Sequence, residues 1–232
     1  MMVKMARLRI LVTNDDGWDA PGLAALKSLA ARLGDVCVLA PREPHSYAGH
    51  RVTTQDPLVL METAPQEYTL SGTPADCVRV GLTSLALDID WVMAGINRGG
   101  NLGADLFTSA TVAAAREAAL LGKRAIAISQ YIRKDLALDW NWSRETALPV
   151  IEELMAQHGL ARGCWNVNLP HVENGSPALV RCEPDNLPLD VRFVRDREKF
   201  RFCGSYQARP RTPGRDVDLC FQGAITVSYL PL

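Results

Sequence analysis

The segment from Leu8 to Ala40 constrains the fold more than any other part of the chain. Leu8 to Thr13 is a short apolar run with β-branched residues, bounded by Asn14-Asp15-Asp16-Gly17. It reads as a buried strand ended by a turn. Pro21 then stands at a first helical position, Leu23, Leu26, Ala30 and Leu33 follow at helical spacing, and Gly34 supplies the stop. Val36 to Ala40 is a second apolar strand, ended by Pro41. Two strands flanking one amphipathic helix make a βαβ unit, hence parallel strands joined by a right-handed crossover. A chain that opens this way builds a sheet and covers its faces with helices.

The alternation continues. Thr73-Pro74-Ala75-Asp76 is a helix start, with Thr as cap, Pro in the first turn and an acid at the third position, and the helix runs through Cys77, Val80 and Leu85. Trp91 to Ala94 is a strand that feeds the loop Gly95 to Gly103; an Ala-rich helix over Ser109 to Leu121 follows, then the strand Ala125 to Ser129. Ser143 to His158 reads as a helix and Trp165 to Leu169 as a strand. Beyond Pro170 the composition shifts to Pro, Arg and short alternating runs, Val191 to Val194 and Phe200 to Tyr206, which read as a hairpin or arm. A short helix over Asp216 to Gln222 and a strand over Ala224 to Leu230 close the chain. The expected fold class is α/β: a Rossmann-like three-layer fold with a mostly parallel sheet, plus a carboxyl-terminal hairpin or arm. The expected division is an α/β catalytic domain over residues 1–183 and an oligomerisation extension over residues 184–232.

Composition narrows the function classes. The chain has 232 residues, against about 150 for a typical domain. That length buries enough surface to hold a core without disulfides or a structural metal. Hydrophobic residues at 47% and charged residues at 22% exclude a disordered or low-complexity chain. Twenty-five Lys and Arg against twenty-six Asp and Glu give a net charge of −1, so the basic excess of a nucleic-acid-polymer or membrane-surface binder is missing. The six cysteines form no CxxC pair and sit mostly in apolar runs, which favours reduced core thiols. No apolar run reaches 18 residues and the first ten residues lack a leader's apolar stretch, so a cytoplasmic location is expected. Trp140 and Trp142 are expected to be packing residues.

Three polar segments follow strands: Asn14 to Gly17, the Pro41 to Thr53 loop with His45, Ser46 and His50, and the Gly95 to Gly103 loop with Asn97 and Asn101. In an open α/β sheet such loops share the carboxyl edge of the strands, where ligands bind at a switch point. Adjacent carboxylates at Asp15 and Asp16 repel one another unless a cation lies between them. Two carboxylates with the Ser46 hydroxyl and the Asn97 amide oxygen form an all-oxygen donor set, which suits one Mg²⁺ or Mn²⁺, or Ca²⁺, rather than Zn²⁺. The glycine loop fits neither the G-x-G-x-x-G fingerprint nor a P-loop, since Asn101-Leu102 stands where Lys-Ser/Thr is required. It leads into Thr108-Ser109-Ala110-Thr111, where hydroxyls and free backbone N–H groups at a helix start make a ready anion site. His45 and His50 are the only histidines near this edge and are candidates for general acid.

NDDG after the first strand, APG opening the first helix, GTPADCV, AGINRGGNLG, the TVAAA helix and NVNLP, in this order, resemble the SurE family of survival proteins. The resemblance implies a metal-dependent phosphatase acting on nucleoside 5′-monophosphates through a metal-activated water, with one divalent cation per subunit. It places the metal-ligand roles on Asp15, Asp16, Ser46 and Asn97, with Asp15 and Asp16 as the catalytic pair, and phosphate contacts on Asn14, Asn101, Ser109 and Thr111. It also implies a homodimer or homotetramer built by exchanged arms. The segment Pro184 to Pro213, where Phe193, Phe200, Phe202 and Tyr206 interleave with Arg and Pro, has the residue mix of an interface. The chain departs from the family where Tyr47 replaces the Gly after the loop serine and Ala110 replaces the Gly between Ser109 and Thr111. Two alternatives are a phosphatase of the haloacid-dehalogenase kind with an Asp nucleophile, which expects D-x-D, and a non-catalytic nucleotide-binding module on the same fold.

Overall fold

The structure, a computed structural model, describes residues 7–85, 88–157, 162–173, 175–189 and 191–232. β1 (Arg9–Thr13), α1 (Pro21–Leu33) and β2 (Asp35–Pro41) form the expected opening unit, with β1 and β2 parallel. An additional hairpin follows, β3 (Leu60–Ala64) and β4 (Glu67–Leu70), of which β4 joins β2 in parallel. α2 (Pro74–Arg79) starts on the anticipated cap: Thr73 accepts from the Asp76 amide, and the Asp76 carboxylate accepts from the Thr73 amide in return. The regular helix ends earlier than expected and widens into a π turn over Val80–Ser84. β5 (Trp91–Arg98), a 3₁₀ turn over Gly103–Phe107, α3 (Ala110–Leu120) and β6 (Arg124–Gln130) come next.

α4 (Trp140–Met155) begins three residues before Ser143, because Asp139 caps it by accepting from the Asn141 and Trp142 amides. Ser143 is buried instead, its hydroxyl shared between Gln130 Oε1 at 2.8 Å and the Asp139 carbonyl at 3.0 Å. The first six residues, and His158 at the expected end of this helix, lie outside the described residues. β7 (Gly163–Leu169), β8 (Leu179–Arg181), the hairpin of β9 (Phe193–Asp196) and β10 (Lys199–Phe202), α5 (Asp216–Phe221) and β11 (Ile225–Pro231) complete the chain.

Among the described residues nine strands form one sheet, in the order β3-β4-β2-β1-β5-β6-β7-β11-β8. The run β4, β2, β1, β5, β6, β7 is parallel throughout, which is the mostly parallel α/β sheet expected. Alternation along β1 assigns the layers. Ile10 and Val12 pack with α1 and α4 residues such as Leu26, Leu29 and Ile151, while Leu11 faces the opposite cluster of Cys77, Val112 and Ala115 from α2 and α3. Trp140 and Trp142 pack against the first cluster, as expected. α1 lies so close to β5 that a Cβ on Gly22 would sit 2.1 Å from the Ile96 carbonyl oxygen, so only glycine fits.

One strand from beyond residue 183 belongs to this sheet. β11 sits between β7, to which it is antiparallel, and β8, to which it is parallel. Among the described residues β9 and β10 alone stand apart, as a two-stranded ribbon, and every residue in those strands is exposed. That ribbon is the hairpin expected in the arm. Among the described residues all six cysteines are free thiols, and no helix is long and apolar enough to cross a membrane.

Candidate active site

β1 pairs with β2 on one side and β5 on the other, so the chain leaves outward from β1 and returns beside it. That reversal is a topological switch point, where a crevice opens at the carboxyl ends of the strands. Asp15 and Asp16 follow β1 directly. Asn97 is the penultimate residue of β5, which runs four residues beyond Ala94 before the loop begins.

Hydrogen bonds draw the separate segments together. The His45 amide donates to the Asp15 carbonyl at 2.7 Å, and the Trp18 amide to the Pro41 carbonyl at 3.0 Å. The Arg98 amide donates to Asp16 Oδ2 at 3.1 Å. The Gly49 amide donates to the Thr108 carbonyl at 3.1 Å, tying the Ser46 loop to the start of α3. Thr53 donates its amide and hydroxyl to Asp76, both at 2.8 Å, which fixes the far end of the same loop. Three loops and one helix start thus share one edge, as expected from the strand pattern.

Asp15 is only 5% exposed. Burial raises its pKa to about 6, helped by the neighbouring Asp16 charge and opposed by a hydrogen bond from Thr111. Thr111 is itself fully buried, and its hydroxyl donates to Asp15 Oδ1 at 2.5 Å. Thr111, expected as a phosphate contact, thus has its hydroxyl hydrogen on the Asp15 carboxylate in this structure. Asp16 is half-buried and Ser46 exposed. Asn97 gives its Nδ2 to the Gly99 carbonyl at 2.8 Å, which leaves Oδ1 as the atom available to a cation. Asn14 gives its Nδ2 to the Gly17 carbonyl at 2.7 Å, and its buried Oδ1 has no partner among the described residues.

Ser109 caps α3, its hydroxyl oxygen accepting from the Val112 amide at 3.1 Å. The hydroxyl proton and the free amides of the first turn remain for an anion. Asn101 is held rigidly: its amide donates to Asn168 Oδ1, its Nδ2 to Ser129 Oγ, and its carbonyl accepts from Asn166 and Asn168, all between 2.8 and 3.0 Å. The Asn166-Val167-Asn168 triplet of β7 therefore serves to seat the glycine loop.

The two histidines part company. His50 Nε2 lies 2.7 Å from Glu117 Oε2, and buried Glu117 also takes Arg79 Nε at 2.6 Å, so His50 belongs to the seam between α2 and α3. His45 is half-buried, and burial, reinforced by the Arg51 charge, lowers its pKa and favours the neutral ring.

The carboxyl-terminal segment supplies a second support that sequence reading missed. Arg209, 9% exposed, donates to Asp105 Oδ2 at 2.8 Å and to the Leu102 carbonyl at 3.1 Å. Tyr206 donates toward Asp105 Oδ2 and the Gly100 carbonyl at 2.9 and 3.1 Å. Fully buried Asp216 accepts from the Gly103, Asp185 and Val217 amides. The loop from Gly100 to Asp105 is therefore clamped from both flanks. The available signal was a lone Asp-Val-Asp start to α5, which reads equally as an ordinary acidic helix entry.

Comparison with known proteins places this architecture. The family model for survival protein SurE matches residues 10–184. A protein of Synechocystis sp. is 44% identical over 225 residues, spanning 96% of this chain and 99% of its own length. The 5′-nucleotidase SurE of Paramagnetospirillum magneticum is 36% identical over 232 residues, covering 96% of this chain and 89% of that one. The crystal structure of the SurE protein from Aquifex aeolicus superposes with a TM-score of 0.83 at 27% identity, covering 96% of this chain and 93% of that one. The chain belongs to the survival protein SurE family.

Proposed function

We propose that this chain hydrolyses nucleoside 5′-monophosphates to nucleoside and phosphate, as a metal-dependent phosphomonoesterase. The observation that carries this reading is the junction of Asp15, Asp16 and the α3 start at the β1–β5 switch point, braced by Thr111. Relatives named 5′-nucleotidase SurE support the substrate class.

The donor chemistry fits a hard divalent cation. Among the described residues no three His, Cys, Asp or Glu side chains cluster, so two carboxylates need neutral oxygens to complete a set. Asp15, Asp16, Ser46 and Asn97 are the residues that would hold one Mg²⁺ or Mn²⁺ per subunit. When bound, such a cation offsets the paired negative charges and lowers the pKa of a water, giving a nucleophile at neutral pH.

The chain's own residues do the rest. Thr111 fixes the buried Asp15 carboxylate. The capped α3 start, with Ser109, and the rigid loop at Asn101 hold the phosphate oxygens, and the unpartnered Asn14 carbonyl accepts from a nearby hydroxyl or water. His45, rather than the Glu117-bound His50, is the histidine left to handle the leaving-group proton. The exposed β9–β10 ribbon, with Phe193, Val194, Phe200 and Phe202, is the contact for a second copy in a dimer or tetramer. The six free thiols accord with work in the cytoplasm.

A panel of nucleoside 5′-monophosphates assayed with Mg²⁺, Mn²⁺, Co²⁺ and Ca²⁺, with a chelator control, tests the reading. Turnover that needs metal and vanishes in Asp15→Asn and Asp16→Asn is expected. Full activity in chelator, or in both variants at saturating metal, overturns it.

A further inference from the structure

The loops around the crevice carry three exposed aromatic side chains. Trp18 follows Asp16 by two residues and is 48% exposed; Tyr47 follows Ser46 directly and is 89% exposed; Phe107 precedes Ser109 by two residues and is 80% exposed. Single exposed aromatics are ordinary, but three beside one polar crevice are a grouping. Neither Tyr47 nor Phe107 stacks on another aromatic ring among the described residues.

Backbone contacts bring the last two close. The hydrogen bond from the Gly49 amide to the Thr108 carbonyl lies two residues after Tyr47 and one after Phe107. A Cβ on Gly49 would sit 3.8 Å from the Phe107 carbonyl oxygen. Tyr47 also holds φ at 59°, a left-handed conformation that a bulky side chain adopts only under constraint. A glycine would relieve that strain, so the ring is kept at a conformational cost, and such outliers gather at ligand clamps.

The geometry points to Tyr47 and Phe107 as the walls of a nucleobase slot, a specificity element for the activity proposed above, on which this inference rests. The reasoning runs outward from the anion site. A phosphate seated between Asp15 and the α3 start leaves its ribose and base pointing to the mouth of the crevice, because the strand ends close the floor. The loops that flank the α3 start offer the exposed π faces of Tyr47 and Phe107. Every base has a π face, so stacking accepts all of them and ranks them by ring area. The occupant is therefore a nucleoside monophosphate with any base, purines ahead of pyrimidines. A phosphomonoester without an aromatic group, such as ribose 5-phosphate, leaves the slot empty.

Steady-state kinetics with adenosine 5′-monophosphate, cytidine 5′-monophosphate and ribose 5-phosphate test this, with adenosine binding measured by calorimetry alongside. Native protein should rank the three in that order by KM. Tyr47→Ala and Phe107→Ala should each lower the preference for adenosine 5′-monophosphate over ribose 5-phosphate by about 10- to 100-fold, mostly through KM. Tyr47→Phe should keep it, since the ring and not the hydroxyl matters. An unchanged preference in both alanine variants overturns the slot, as does an equal fall for all three substrates. So does a change of molecular mass in light scattering with the preference intact, which would make the rings part of a subunit contact. The two readings separate cleanly: ring-dependent adenosine binding without any phosphate release sinks the phosphatase reading alone. Phosphate release with ring-independent binding sinks the slot alone.

Discussion

Thr111→Val removes one hydroxyl and almost no volume, which makes it the sharpest probe of how the Asp15 carboxylate, proposed above as a metal ligand, is held. Thr111 is fully buried, and its hydroxyl donates to Asp15 Oδ1 at 2.5 Å. Asp15 is itself 5% exposed, so water cannot replace the lost donor without opening the site. A hydrogen bond to a charged group contributes about 1.5–3 kcal/mol. At about 1.4 kcal/mol per tenfold, that is a weakening of Mn²⁺ binding by about 10- to 150-fold. Loss of a partner that orients a metal-binding side chain commonly costs about 10- to 100-fold in affinity, the same range. Calorimetric titration with Mn²⁺ measures it directly, and Thr111→Ser, which keeps the hydroxyl, should restore binding. Inhibition by inorganic phosphate, measured at saturating Mn²⁺, should move far less. Unchanged Mn²⁺ affinity together with strongly weakened phosphate inhibition would refute the positioning role and return Thr111 to the phosphate.

Two further outcomes follow from the carboxyl-terminal clamp. Arg209→Met should destabilise the protein by about 3–5 kcal/mol in urea unfolding, because it leaves Asp105 partly buried without its cation; a change below about 1 kcal/mol would show that Tyr206 alone holds the loop. Asp185 is buried, which by itself raises its pKa, yet donors from Thr212, Leu187 and Asn186 outweigh that and bring it below the usual carboxylate value. A carboxylate with a depressed folded pKa adds stability that is fully present above its unfolded pKa and lost as pH falls through the folded one. Native protein should therefore exceed Asp185→Asn in stability at neutral pH, and the gap should close in acid below the ordinary Asp range; a gap that stays constant through acid would contradict this.

Much of the architecture could be read from residues near one another in sequence. The opening βαβ unit, the Thr73 cap and the Ala-rich α3 each announce themselves through local spacing and local hydrogen bonding. Asp15, Asp16 and Asn97 were readable as a group because parallel strands place their carboxyl ends on one edge. What stayed hidden depends on pairing across distance. β3 and β8 are short edge strands, one largely exposed and the other half-buried, and an apolar run as short as Leu58 to Met61 does not by itself mark a strand. The clamp of Arg209 on Asp105 spans more than a hundred residues, and nothing local to either partner marks it. His50 looked like a neighbour of Ser46 along the chain, yet its partner is Glu117, a helix away. Thr111 sat at a helix start read as an anion site, and its hydrogen bond to Asp15, 96 residues away along the chain, had no local mark.

The position of β11 has a consequence for the order in which the protein can be made. Residues 225–231 occupy a place inside the sheet, with β7 on one flank and β8 on the other. During synthesis β7 and β8 emerge well before β11, so the nascent chain carries β7 as an open strand edge while β8, whose strand partner is β11, is still without a place in the sheet. α5 and its Asp216 contact to Gly103 arrive just as late. The glycine loop therefore stays unclamped until α5 and β11 have been made and have docked. Order in that loop would then be gained late in folding, and chains halted before residue 225 should be sticky at the open β7 edge and lack turnover, whatever the state of the strands that carry Asp15 and Asp16.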